Sequence, residues 1–242
     1  MKTVAEIIKD AVASASIPEQ PKKLPLPNLP AGVAPLSSVD KWKSMVWHID
    51  TAAADGKEAL FALAMAFGKT IQSTALYDLL TDVRDKPRPA FDLDTLLWTT
   101  STPITENGDT LDSLRSRSRT QATVSFQEAV VIANPWVPFR LTRSLANIGR
   151  QEWRQDDNHQ TELWTPWPIL WVTSGNHSIT AATILGKGLL HDVPSFDATP
   201  LLTAVETDGE NWLRTFDGTV IEPVHSIAVA AIFEIGRRLM RL

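Results

Sequence analysis

The residues best suited to chemistry stand together at Ser174-Gly175-Asn176-His177-Ser178, with Thr180 close behind. A glycine lets backbone approach a ligand closely, and Ser174, Asn176, His177, Ser178 and Thr180 bring side-chain donors. The run before the turn, 169–173, is β-branched and aromatic and fits a buried strand. The run after it, 178–185, carries Ile179, Ala182, Ile184 and Leu185 at near-helical spacing and stops at Gly186 and Gly188. A strand, a tight polar turn and a helix start are therefore expected. The first amides of a helix lack partners and sit at the positive end of its dipole, so such a turn suits an anion, phosphate above all. The plainer reading is that Ser174 or Asn176 caps the helix.

Other groups could serve the same site. Arg140 and Arg143 lie three apart on an expected helix over 138–148, share a face, and could partner phosphate charge. His177 and His159 are the candidate catalytic residues, each a donor or general acid-base whose ordinary proton affinity suits work near neutral pH. Asn158 supports them. Asp156, Asp157 or Asp197 could hold Mg²⁺ through one or two carboxylates together with phosphate oxygens, against a simpler role in turns or helix caps. The five histidines show neither HxH nor HExxH spacing and there is no cysteine, which argues against zinc and excludes disulfides and thiolate chemistry. Gly68-Lys69-Thr70 looks like the tail of a phosphate-binding P-loop, but Leu63 stands where the leading glycine belongs and no strand precedes it, so that match is rejected. Arg115, Arg117 and Arg119 alternate, which on a helix sends them in different directions. A solvated surface is the better expectation there than a nucleic-acid contact. Trp136, Trp153, Trp164, Trp167 and Trp171 crowd one segment and are expected to pack rather than to stack on bases.

These residues need a scaffold, and 242 residues can bury a sizeable core. A net charge of −5 excludes a broadly basic nucleic-acid coat. No apolar run is expected to span a membrane, and Glu6, Lys9 and Asp10 make the start a poor secretory signal, so a cytoplasmic location is the expectation. Three segments are expected: 1–36, an amphipathic helix over 3–15 followed by a proline-rich strap; 37–123, a helical region; and 124–242, an α+β domain. The helical region holds helices over 37–49, 56–67 and 70–83, a breaker at 84–89, and a turn at Asn107-Gly108. The last segment begins with a strand over 124–133 and the helix 138–148. Around the central turn lie strands over 159–164 and 169–173. Short strand-like pieces follow at 193–197, 201–205, 212–216 and 219–224, with hairpin turns at Asp208-Gly209 and Asp217-Gly218, and a closing helix over 226–242.

Taken in order, Val130-Val-Ile-Ala-Asn-Pro-Trp136, the arginine-bearing helix after it, the strand at 169–173, Ser174-Gly-Asn-His-Ser-Ile-Thr-Ala-Ala182 and Leu185-Gly-Lys-Gly188 resemble the ParB/sulfiredoxin-like domain. The resemblance covers about 130–205 and implies a small mixed sheet with flanking helices. It also implies a Gly-x-His-Arg-type box that opens a helix and binds nucleotide phosphates. Here Ser178 stands where that box carries arginine, offering a hydrogen bond but no charge. The wider stretch 134–238, with Asp156-Asp-Asn-His159, Gly175-Asn-His-Ser178 and Phe233-Glu-Ile-Gly-Arg237, also resembles a bacterial and phage domain family of unknown function.

Two functions follow as expectations. One is a phosphate- or nucleotide-binding protein that uses the 175–178 turn, with Mg²⁺ accompanying the nucleotide and with hydrolysis or action on nucleic acid left open. The other is a non-catalytic regulatory protein that uses the same fold to bind DNA, a protein partner or a second copy of itself as a homodimer.

Overall fold

A computed structural model describes residues 2–3, 6, 38–81, 91–115 and 120–242. The proline-rich strap, the breaker at 84–89, Arg117, Arg119 and almost all of the expected helix over 3–15 lie outside these residues. Thr3, expected at the start of that helix, instead belongs to a short strand, β1 (Lys2–Thr3).

The helical region opens with α1 (Ser38–Asp55) and α2 (Lys57–Thr81). The spacing predicts two helices broken near Gly68, yet α2 runs straight through it. Leu60, Ala64, Gly68, Ile71, Ala75 and Leu79 form one buried stripe at three- and four-residue steps, and packing along that stripe outweighs the cost of one glycine. The glycine is needed there, because a Cβ at Gly68 would stand 2.1 Å from Val130 Cγ1. By length and composition α2 is apolar enough to cross a membrane, which the sequence reading expected of no segment. Only one face of it is buried in the core. A one-turn helix α3 (Leu93–Leu96) follows, capped reciprocally by Asp92 and Thr95, and then α4 (Leu111–Arg115). Between them the Asn107-Gly108 turn forms as expected, with Gly108 at φ 81° and Ile104 N–H donating to Asp109 O.

The expected strand over 124–133 divides into β2 (Thr120–Ser125) and β3 (Val130–Ile132), separated by a turn in which Glu128 N–H donates to Ser125 O. Helix α5 (Pro138–Arg150), strands β4 (Thr161–Thr165) and β5 (Ile169–Val172), helix α6 (Asn176–Ile184) and strand β6 (Leu189–Asp197) complete the main sheet. Its order is β1-β2-β6-β4-β5-β3, with parallel and antiparallel pairs mixed. The piece 201–205, expected as a strand, is the end of a helix, α7 (Thr199–Ala204). Pro200 sits in its first turn and the Asp197 carboxylate accepts the Thr199 N–H, so the short apolar run is started as a helix. A meander of β7 (Val205–Thr207), β8 (Asn211–Arg214) and β9 (Val220–Pro223) uses both expected Asp-Gly turns. Helix α8 (Ile227–Leu239), capped by Ser226, closes the chain.

The architecture is thus mixed α+β, with helices leading into two sheets. One core unites α1, α2 and α8 with one face of the main sheet and the meander: Trp42, Ile49, Leu60, Trp98, Trp164, Trp167, Phe196, Trp212 and Phe233 are all within it. A second core, with Val124, Val131, Leu141, Leu163, Leu170, Ile179 and Val193, fills the other face beneath α5 and α6. The segment boundary expected at 123/124 falls inside β2.

Candidate functional site

Strands β3 and β5 run parallel, with Ile132 opposite Trp171, so their carboxyl ends open on the same side of the sheet. In open sheets such ends are where ligands gather. A cleft of about 700 Å³ lies there. Its floor is Ile132, Trp171 and Val172. One wall is Asn134, Trp136, Thr173 and Asn176, and the other is the 91–100 segment with Asp92 and Asp94, joined by Arg115. The Trp171 indole is only 7% exposed and its Nε1 has no hydrogen-bond partner among the described residues.

Helix α6 begins at this cleft. Gly175 is its N-cap with φ 77°, a left-handed conformation that favours glycine, and no side chain caps the first turn. A Cβ at Gly175 would meet His159 Cδ2 at 2.6 Å, so glycine is required by contact as well.

The polar side chains of the turn are engaged by the protein itself. Asn176 Oδ1 accepts the Asn134 N–H at 2.7 Å, and His177 Nε2 accepts the Val137 N–H at 3.0 Å. Ser178 Oγ accepts the Trp153 indole N–H at 2.9 Å, and Ser174 Oγ donates to Asn158 Oδ1 at 3.0 Å. Thr180 is buried on the second turn, its hydroxyl without a partner among the described residues.

The two histidines occupy different surroundings. His177 meets the Trp136 ring edge-on at 4.8 Å, while His159 packs on Trp153 at 4.7 Å and its Nδ1 accepts the Asp156 N–H at 2.9 Å. Burial holds both below the ordinary 6.5. The Arg140 charge depresses His177 further, while Asp156 partly offsets the effect at His159. Both rings are therefore neutral near pH 7. The bond to Nε2 places the remaining proton of His177 on Nδ1, whereas His159 Nδ1 faces both the N–H and the carboxylate of Asp156, each at 2.9 Å.

Of the residues given a site role from the sequence, Asn176 alone lines the cleft. Ser174, Gly175, Ser178, Asn158 and His159 gather behind the turn, and His177 ties it to the start of α5. Arg140 and Arg143 are exposed on α5. Asp197 pairs with Thr165 at the opposite end of β4 from Thr161 and Val172, so it lies at the far end of the sheet from the cleft. Among the described residues no group of three or more His, Asp or Glu side chains gathers. The cleft residues that sequence reasoning passed over are Phe91, Asp92, Asp94, Arg115 and Trp171. Two of them carried a sequence signal: Arg115 lies in a run that resembled a solvated surface, and Trp171 in a tryptophan cluster expected to pack.

No curated protein and no solved structure matches the chain. A family of unknown function (DUF6710) matches residues 39–242, most of its length. The chain belongs to this family of unknown function.

Proposed function

We propose that the cleft beside α6 binds a nucleotide or a related aromatic phosphate compound, in a scaffold of ParB/sulfiredoxin-like design. The observation that carries this reading is the convergence of a cleft of about 700 Å³ on the uncapped start of α6. A volume of that size suits a small organic ligand. Phe91, Trp136 and Trp171 offer faces for a planar ring, Asn134 and Asn176 stand at the polar wall, and the amides of the first turn of α6 favour an anion. The order of β3, the Asn134-Pro135 segment, α5, β5, the glycine turn and α6 supports the ParB-like reading.

Binding without turnover fits this site better than hydrolysis. Each histidine gives one ring nitrogen to a backbone N–H, and neither lines the cleft. A general base must reach the proton it abstracts. A regulatory protein that responds to a small ligand, and through it to DNA, a protein or a second copy of itself, is the function this arrangement favours.

Calorimetric titration with nucleosides and their mono-, di- and triphosphates, with and without Mg²⁺, tests the reading. Saturable binding that raises the melting temperature and is lost in Trp136→Ala supports it, since a ligand selective for the folded state must stabilise that state. No binding across the panel by folded protein rejects it in favour of a macromolecular interaction surface.

A further inference from the structure

Arg115 ends α4 and reaches the cleft. Its Nε donates to Glu162 Oε2 at 3.0 Å and its Cζ lies 5.8 Å from the centre of the Trp164 ring. The same Glu162 oxygen accepts the Trp164 indole N–H at 2.7 Å, and Glu162 is itself 8% exposed. The guanidinium is thus held along one edge by a buried carboxylate whose position a buried indole fixes in turn. Neither Nη has a partner among the described residues, and the side chain is 24% exposed. A guanidinium held this way has lost much of its rotamer freedom before any ligand arrives, while two Nη groups stay available as donors.

Acidic neighbours limit what this arginine can hold. Asp92 and Asp94 line the same cleft, each with one carboxylate oxygen bound to a backbone N–H, that of Thr95 and of Thr100. Their charges oppose a ligand that carries several negative charges. Arg140 and Arg143, the cations the sequence suggested, are outside the cleft lining.

We propose that Arg115 is the anion-binding residue of the cleft and takes one compact oxyanion, a phosphate monoester or a carboxylate, rather than a polyphosphate chain. This rests on the cleft being the ligand site. Glu162 and Trp164 are positioning residues that hold Arg115 in place.

The test uses the full chain and two simple probes, inorganic phosphate and acetate, followed through the arginine side-chain NMR signals. Wild type is expected to show saturable binding, with phosphate tighter than acetate if the natural ligand is a phosphate monoester and the reverse if it is a carboxylate. In Arg115→Gln the dissociation constant is expected to rise by at least about tenfold, because a charge-assisted pair is replaced by a neutral hydrogen bond. Arg115→Lys, which keeps the charge but not the fork, should recover part of that loss and carries the test if Arg115→Gln folds poorly. Arg140→Gln should bind as wild type does. Unchanged affinity in Arg115→Gln, an equal loss in Arg140→Gln, or no saturable anion binding by wild type overturns the proposal. Nucleosides that bind with no gain from a phosphate would remove Arg115 while leaving the cleft as a site. Anion binding at Arg115 with no nucleotide binding would leave Arg115 and remove the nucleotide reading.

Discussion

Asn176 Oδ1 accepts the backbone N–H of Asn134 at 2.7 Å, while the Asn134 side chain donates to the carbonyl of Phe91. Two asparagines thereby join the start of α6, the loop after β3 and the segment that leads into α3. Those three pieces bring Phe91, Asp92, Asn134, Trp136 and Asn176 to the cleft, so its shape depends on this chain of bonds.

Asn176→Ala removes the acceptor and leaves a buried N–H unpaired, which costs about 1–3 kcal/mol. Urea unfolding should show that loss. Asn176→Asp keeps an acceptor oxygen and should spare most of the stability, while its added charge weakens anion binding in the cleft.

Gly175→Ala combines a left-handed φ of 77° with a Cβ placed 2.6 Å from His159 Cδ2 and 3.1 Å from Asn158 O. Backbone strain and overpacking together should cost about 2–4 kcal/mol. A wild-type denaturation midpoint in Gly175→Ala would mean that the turn relaxes freely.

The turn and its helix were legible because the hydrophobic period changes there from strand to helix around a glycine. The cleft was not. Its walls come from Asp92, Arg115, Asn134, Trp171 and Asn176, which only tertiary structure brings together. Arg115 looked solvated because nothing local reveals that Glu162, 47 residues away, holds it. Runs too short to show a period were the least legible. The apolar content of 201–205 suits strand or helix equally, and the Asp197 cap together with Pro200 decides for helix. Likewise 124–133 carries strand-forming residues at both ends, yet β2 pairs with β6 and β3 pairs with β5, so the chain must turn between them.

Stability should depend on pH through the two neutral histidines. Burial sets both below 6.5 in the folded protein, so between the folded value and 6.5 the unfolded chain binds more protons. Stability contributed by these groups is therefore complete above about pH 6.5 and declines as pH falls toward their folded values. Urea unfolding from pH 5 to 8 should show that slope, and His159→Gln with His177→Gln should flatten it. An equally steep slope in the double variant would assign the effect to other groups.

The last prediction concerns how the helical region is joined to the end of the chain. Arg238 Nε donates to Asp50 Oδ1 at 2.7 Å and its Nη1 to Glu234 Oε2 at 2.7 Å, while Arg237 Nη1 donates to Glu234 Oε1 at 2.9 Å. Asp50 on α1 and Glu234 on α8 are both buried, 8% and 4% exposed. Breaking a buried pair leaves a charge without compensation, so Asp50→Ala should cost about 3–5 kcal/mol. Replacing both partners, as in Asp50→Leu with Arg238→Met, removes the charges together and should recover much of that loss. The Asp50→Ala variant should still unfold in one transition, because Trp42 and Ile49 of α1 share a core with Phe233 and Leu239 of α8. Two separate transitions by fluorescence and circular dichroism would instead mean that α1 and α2 fold apart from the sheet.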